Sequence, residues 1–313
     1  MTSSLQSDPE TTSDDRIDDR FRTALVLAGA GAAGNAWQLG LIAGLADAGV
    51  DLPEADLIIG TSAGSTVAAQ VTSGVRPAEL YAAILAEVPR PQGPGLRPDS
   101  GHGFLSGPNY MEWSAEIIDA AEDAADMRRR MGAAALEMET SDGAGANRWR
   151  DIVAARLPRH EWAEQRVLIP AVDARTGEPV VFDRSSGVDL VDAVAASTSN
   201  GFGGAYRIGE NRYLNGAYRR SSNADLAAGY ERVLVLDPFS GRSRTPREWG
   251  MDLASQIDEL RAGGSEVETV FPDAGAGDVF NANALDPSTR QPAARGGYNQ
   301  GRDLAVQLAV FWR

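Results

Sequence analysis

The chain begins with MTSSLQSDPETTSDDRIDDR, where apolar positions show no period and charge accumulates. So polar a stretch cannot bury enough surface to order itself, which predicts a disordered acidic tail over residues 1–20. From Thr23 the pattern changes. TALVLAGAGAAG is apolar and runs into glycines, and in the following segment Trp37, Leu41, Leu45 and Ala48 recur three to four apart, the spacing of a helical stripe. The same order repeats at once. Asp56–Ile59 predicts a short strand, Gly60–Gly64 a tight turn, and Ser65–Gly74 a helix closed by its glycine. Two consecutive strand–turn–helix units predict parallel strands joined by helical crossovers, an α/β architecture.

Beyond this point residues 75–91 read as helix and Pro91–Gly107 as a proline- and glycine-rich loop. Residues 109–138 read as one long amphipathic helix with Ile117, Ile118, Ala121 and Ala125 on one side. A polar break at 141–147 precedes a helix over 148–157, and residues 92–165 together form a helical insertion expected over the sheet edge. Strand patterns return at Val167–Ala171, Glu178–Phe182 and Arg232–Leu236, and helical ones at 188–197, 247–263 and 302–312. Residues 274–301, rich in Gly, Asn and Pro, read as irregular. No linker divides the chain, so 21–313 is expected to be a single domain.

Composition then removes chemistry. Among 313 residues there is no cysteine, there are two histidines, and all 29 basic residues are arginine. Thiol nucleophiles, thiolate metal sites and lysine Schiff bases are excluded. His102 lies in a glycine-flanked loop and His160 at a helix end, neither placed as a catalytic base. A net charge of −15 argues against nucleic acid and anionic membrane surfaces. No apolar run reaches the roughly 18–20 residues of a membrane span, and the N-terminal stretch lacks the basic and apolar regions of a secretory signal. The expectation is a cytoplasmic protein without a transmembrane segment. The Arg128–Arg130 run reads as a solvated helical face.

Two glycine-rich strand ends hold the candidate chemistry. Gly60-Thr61-Ser62-Ala63-Gly64 matches G-x-S-x-G between a strand and a helix, where small neighbours permit the sharp turn that exposes a nucleophilic serine. The bland alternative is a βα turn with a serine N-cap. Gly29-Ala30-Gly31-Ala32-Ala33-Gly34 matches G-x-G-x-x-G, the dinucleotide fingerprint, but the required acid has only Glu54 as a candidate, and Glu54 precedes the next strand. The other use of such a loop is an oxyanion hole of backbone amides. Side by side in a parallel sheet, the two loops favour acyl transfer over nucleotide binding.

From about Thr23 to its C-terminus the chain resembles the bacterial patatin-like phospholipases. The resemblance rests on Gly29–Gly34 followed by Gly40, on Gly60–Gly64, on 171–197, and on Arg212–Ala217 followed by SSNADL at 221–226. It implies a three-layer α/β/α fold with a mostly parallel central sheet. It also implies hydrolysis of lipid or other acyl esters by a serine–aspartate dyad, with no metal or other cofactor. Carried over, Ser62 is the nucleophile and the Gly29–Gly34 loop forms the oxyanion hole. The third motif departs from the family. Where Asp-Gly-Gly or Asp-Gly-Ala is usual, this chain has Asn215-Gly216-Ala217. A neutral amide has no basicity with which to take the serine proton. Four explanations stand side by side: an inactivating change in a hydrolase, a lipid-binding pseudoenzyme, another base such as Asp225 or Asp173, or deamidation of the Asn-Gly pair to aspartate.

Overall fold

Successive side chains of β1 (Thr23–Leu27) divide between two cores. Leu25 and Leu27 face one, Ala24 and Val26 the other, and all four are fully buried. A strand covered on both faces belongs inside a sheet flanked by two helical layers. The structure, a computed structural model, describes residues 23–88, 107–139, 144–281 and 283–312. The acidic N-terminal stretch, most of the expected 91–107 loop with His102, and part of the expected 141–147 break lie outside the described residues.

The remaining strands are β2 (Leu57–Gly60), β3 (Arg166–Asp173), β4 (Pro179–Phe182), β5 (Tyr206–Ile208), β6 (Asn211–Asn215), β7 (Arg232–Leu236) and β8 (Glu266–Val270). Their order is β5-β6-β3-β2-β1-β7-β8, with β4 also paired to β3. The segment from β3 to β8 is parallel, whereas β4 and β6 join β3, and β5 joins β6, antiparallel. The helices are α1 (Gly31–Asp47), α2 (Ala63–Val71), α3 (Pro77–Ala86), α4 (Gly107–Asp119), α5 (Ala124–Glu137), α6 (Ala144–Ala154), α7 (Leu190–Thr198), α8 (Leu253–Ala262) and α9 (Arg290–Trp312). Residues of α1, α2, α3, α7 and α9 share the core of one face, and Leu253 and Leu260 of α8 share that of the other. The expected mostly parallel α/β/α sheet is therefore present.

Several elements differ from expectation, each for a local reason. The long helix over 109–138 is two helices, because the Asp123 side chain accepts the Asp126 N–H at 2.7 Å and caps a new start. These two helices pack through Ile118, Met127 and Met131 against Val172 and Leu214, over the antiparallel side of the sheet. The segment 274–301 is not irregular to its end, for α9 begins at Arg290 and runs for 23 residues. Its glycines serve contact rather than turning: a Cβ at Gly297 or Gly301 would overlap the carbonyl oxygens of Trp37 and Leu41. Gly40 and Gly44 answer from α1. The helix expected at 247–263 shrinks to α8 after a short turn at Arg247–Trp249. Strands β5 and β8, short and half polar, gave no pattern strong enough to be read.

Candidate active site

The strand–turn–helix expected at 60–64 is formed. Ser62 sits between β2 and α2 with φ +53° and ψ −123°, one of three described non-glycine residues with positive φ. Such a backbone is strained by on the order of 1–3 kcal/mol and persists only where its surroundings fix it. Here they do so at several atoms. Ser62 N–H donates to Ser197 Oγ on α7 (3.0 Å), and Ser62 C=O accepts from Ser65 N–H (2.9 Å) and Ser65 Oγ (2.6 Å). Thr61 N–H donates to the Leu27 carbonyl at 2.9 Å, tying the turn to the end of β1. A Cβ at Gly64 would overlap that same carbonyl oxygen, which is why the position is glycine.

The loop after β1 lies against this turn. A Cβ at Gly29 would lie 2.7 Å from Ser62 Cβ and 3.3 Å from Ser62 Oγ, so only glycine lets the loop backbone approach the hydroxyl. Gln38, fully buried on α1, donates to the Ala28 carbonyl at 2.7 Å and fixes the peptide plane that leads into Gly29. Not all of the expected oxyanion loop is available. Ala33 N–H donates to Ala284 C=O (3.0 Å) and Gly34 N–H to Ala30 C=O (2.9 Å). The first-turn amides of α1 are thereby narrowed to those of Gly31 and Ala32, which follow the loop amides of Gly29 and Ala30. Gly31, at φ +56°, lies under the loop carrying Ala284 and Leu285.

Asn215 closes the site from the other side of β3. The last ladder pair of β2 is Ile59 with Leu168, and Asn215 pairs with Ala171, so both strand ends emerge at one level of the sheet. Asn215 is 9% exposed and held at three atoms. Its N–H donates to Ser199 C=O (2.6 Å), its Oδ1 accepts from Ala217 N–H (2.9 Å), and its Nδ2 donates to Ser62 Oγ (2.9 Å). A Cβ at Gly216 would overlap the Pro170 carbonyl oxygen, so the corner, like the elbow, requires glycine. Ala217 supplies the amide that orients the side chain.

The alternative bases are occupied elsewhere. Arg219 grips both oxygens of Asp225 at 2.9 and 2.6 Å, and Asp173 Oδ1 accepts the N–H groups of Arg175 and Thr176. Deamidation needs the Asn215 side chain to leave both partners so that the Gly216 nitrogen can reach its carbonyl carbon, and the tethering opposes that motion. Glu54 ends a short turn ahead of β2 rather than lying at the strand's C-terminal end, so the acid of a dinucleotide site is missing. Among the described residues no three His, Asp or Glu side chains gather as a metal site. His160 lies six residues beyond α6, its Nε2 3.0 Å from the carbonyl oxygen of Ala154, the helix's last residue. Arg129 and Arg130 pair with Asp126 on an exposed face, while Arg128 donates to Gly177 C=O.

Two residues without an assigned role emerge from the structure. Asn223, fully buried at φ +59°, donates through Nδ2 to Thr61 Oγ1 and to Gly216 C=O, each at 3.0 Å. One side chain thus holds the residue before Ser62 and the residue after Asn215. Arg219 donates to Asn223 Oδ1 at 2.8 Å and satisfies it. Ser197 is the other, as the acceptor for Ser62 N–H. Both belong to segments singled out in the sequence, but nothing local marks their partners, which lie 162 and 135 positions away. Beside Asn215, Tyr218 O–H donates to Asn200 C=O at 2.6 Å and anchors the Ser199–Gly204 loop. Desolvation holds its pKa well above the ordinary phenol value, so it remains a neutral donor.

Comparison with known proteins bears on the family alone. The family model for patatin-like phospholipases matches residues 25–228. No curated protein matches the chain. Two solved structures are similar to it: the type III effector protein ExoU (18% identity, TM-score 0.42) and VipD from Legionella pneumophila (12% identity, TM-score 0.45). The similarity covers 92% of this chain in both cases, 53% of the ExoU chain and 67% of the VipD chain. The chain therefore spans about half the length of ExoU. With the family model covering well over half of its residues, the chain belongs to the patatin-like phospholipase family.

Proposed function

We propose that the chain is a serine acyl-ester hydrolase of the lipid type whose turnover, as the sequence stands, is held low by Asn215. Ser62 is the nucleophile, and the amides of Gly29, Ala30, Gly31 and Ala32 receive the oxyanion of the tetrahedral intermediate. One observation supports both halves of this reading: Ser62 Oγ and Asn215 Nδ2 lie 2.9 Å apart, with Asn215 Oδ1 tied to Ala217 N–H. The distance is that of a catalytic dyad. The direction is not, because the amide donates to the oxygen that must lose its proton. An aspartate here would keep one oxygen on Ala217 N–H and offer the other to the Ser62 hydroxyl as a base.

The test is a paired assay of the chain as written and Asn215→Asp on nitrophenyl esters, with Ser62→Ala in both backgrounds. Strong cleavage by Asn215→Asp, lost on Ser62→Ala, is the expected outcome. If neither form cleaves and Ser62 does not react with a fluorophosphonate, the hydrolase reading is wrong. The fixed polarity of the Asn215 amide favours a second reading, in which the chain binds acyl ligands without cleaving them.

A further inference from the structure

The sense of the hydrogen bond between residues 215 and 62 sets the polarity of the site. Ala217 N–H fixes Asn215 Oδ1, leaving only the NH2 group to face Ser62 Oγ. Ser62 Oγ is the acceptor in that bond, so its own hydrogen is available to a ligand. Among the described residues no hydrogen bond uses that hydrogen. The amides of Gly29–Ala32 are donors as well, and the backbone at Gly29 lies against Ser62. Asp225 and Asp173, the alternative bases, are bound to Arg219 and to backbone amides, and Asp237, one residue beyond the β7 position that pairs with Leu27, accepts the Phe239 N–H. The groups that these bonds and contacts gather at Ser62 are therefore hydrogen donors.

A tetrahedral oxyanion uses such donors for an instant, whereas a carboxylate is a stable anion that can use them continuously. With aspartate at 215, a bound carboxylate would face a like charge across the site and be repelled. With asparagine that repulsion is absent and one more donor is present. We infer that the ligand held at Ser62 in this chain is the free carboxylate of a fatty acid. Its head takes the Ser62 hydroxyl, the Asn215 amide and the Gly29–Ala32 amides. The inference rests on the proposed acyl site at Ser62 and names a ligand for it.

The experiment is equilibrium binding of decanoate, 1-decanol and acetate to the full chain, to Asn215→Asp and to Asn215→Ala, at mildly alkaline pH where the acids are ionised. Decanoate is expected to bind the chain as written at least about tenfold more tightly than Asn215→Asp, with Asn215→Ala in between. The neutral alcohol is expected to bind all three alike. Equal decanoate affinity in the three forms, or no decanoate binding to the chain as written, overturns the inference. Acetate binding as tightly as decanoate overturns its fatty-acid part. Asn215→Ala carries the test should the aspartate variant not fold. Turnover plays no part in these readouts, so failure here is distinct from failure of the ester assay with Asn215→Asp.

Discussion

At the end of β2, Gly64 lies against the Leu27 carbonyl and Ser62 is held in a left-handed turn by Ser197 and Ser65. At the end of β6, Gly216 lies against the Pro170 carbonyl and Asn215 is held by Ser199, Ala217 and Ser62. The two corners share a construction: a glycine without room for a side chain, a polar residue fixed at several atoms, and a clamp in Asn223 that touches both. They differ in chemistry. The first presents a hydroxyl, and the second presents an amide donor to it where the proposed hydrolysis calls for a proton acceptor. Construction and chemistry are thus separable here, since the tethers to Ser199 and Ala217 use the Asn215 N–H and Oδ1 and not the Nδ2 that meets Ser62.

The sharpest way to break the comparison is to restore the missing base. Asn215→Asp is expected to raise kcat/KM on nitrophenyl esters by about 10³–10⁴, the order lost when the aspartate of a Ser-His-Asp triad becomes asparagine. A change below tenfold would mean that the second corner lacks something besides its charge. Next in size, Gly64→Ala and Gly216→Ala each force a methyl group onto a backbone carbonyl, and each is expected to cost about 3 kcal/mol or more of stability by denaturant unfolding. If Gly216→Ala is tolerated and Gly64→Ala is not, the second corner is looser than its tethers imply.

The clamp allows a finer test. Asn223→Ala leaves Thr61 Oγ1 and the Gly216 carbonyl without their shared donor, at an expected cost of about 1–3 kcal/mol. In the Asn215→Asp background it is expected to lower kcat while KM changes little, because it alters the approach of the two corners rather than the ligand. A loss of stability with unchanged kcat would reduce Asn223 to a packing residue.

The smallest effect comes from a third strand end, after β7, which supplies a contrast to both corners. Asp237 is buried there, and desolvation pushes its pKa up to about 6 despite the Phe239 and Gly241 amides. A raised carboxyl favours the protonated fold, so its contribution is complete below the unfolded value of about 3.9 and is lost as pH rises through about 6. Asp237→Asn is therefore expected to gain on the order of 1–2 kcal/mol relative to the unsubstituted chain between these limits, read from urea midpoints across pH. An unchanged pH slope would show that the carboxylate is better solvated than its burial implies.

What could be read along the chain follows the range of the forces involved. The elbow was legible because a sharp βα turn needs small residues at fixed local spacing, and Gly60 and Gly64 announce it. Expected strands at 56–59, 167–171 and 232–236 appear in the sheet because alternating or continuous apolar runs have few other ways to be buried. The glycines of α9 misled, since their purpose is contact with α1, more than 250 positions away in the chain. Ser197 and Asn223 gave no signal for the same reason. An ordinary serine and asparagine acquire roles only when folding brings Ser62 and Thr61 against them.

The sequence by itself determined the turn at Ser62, the glycine loop beside it and the identity of residue 215, because these are matters of residue size and local spacing. It also made visible an amide at 215, where the resemblance implies a carboxylate. That the Asn215 amide meets the Ser62 hydroxyl at all was decided by the tertiary structure alone. Ala217 N–H, two residues on, claims the oxygen, and β3 carries the remaining NH2 to within 2.9 Å of Ser62. An amide has one acceptor and one donor end, and a single backbone N–H is enough to choose between them.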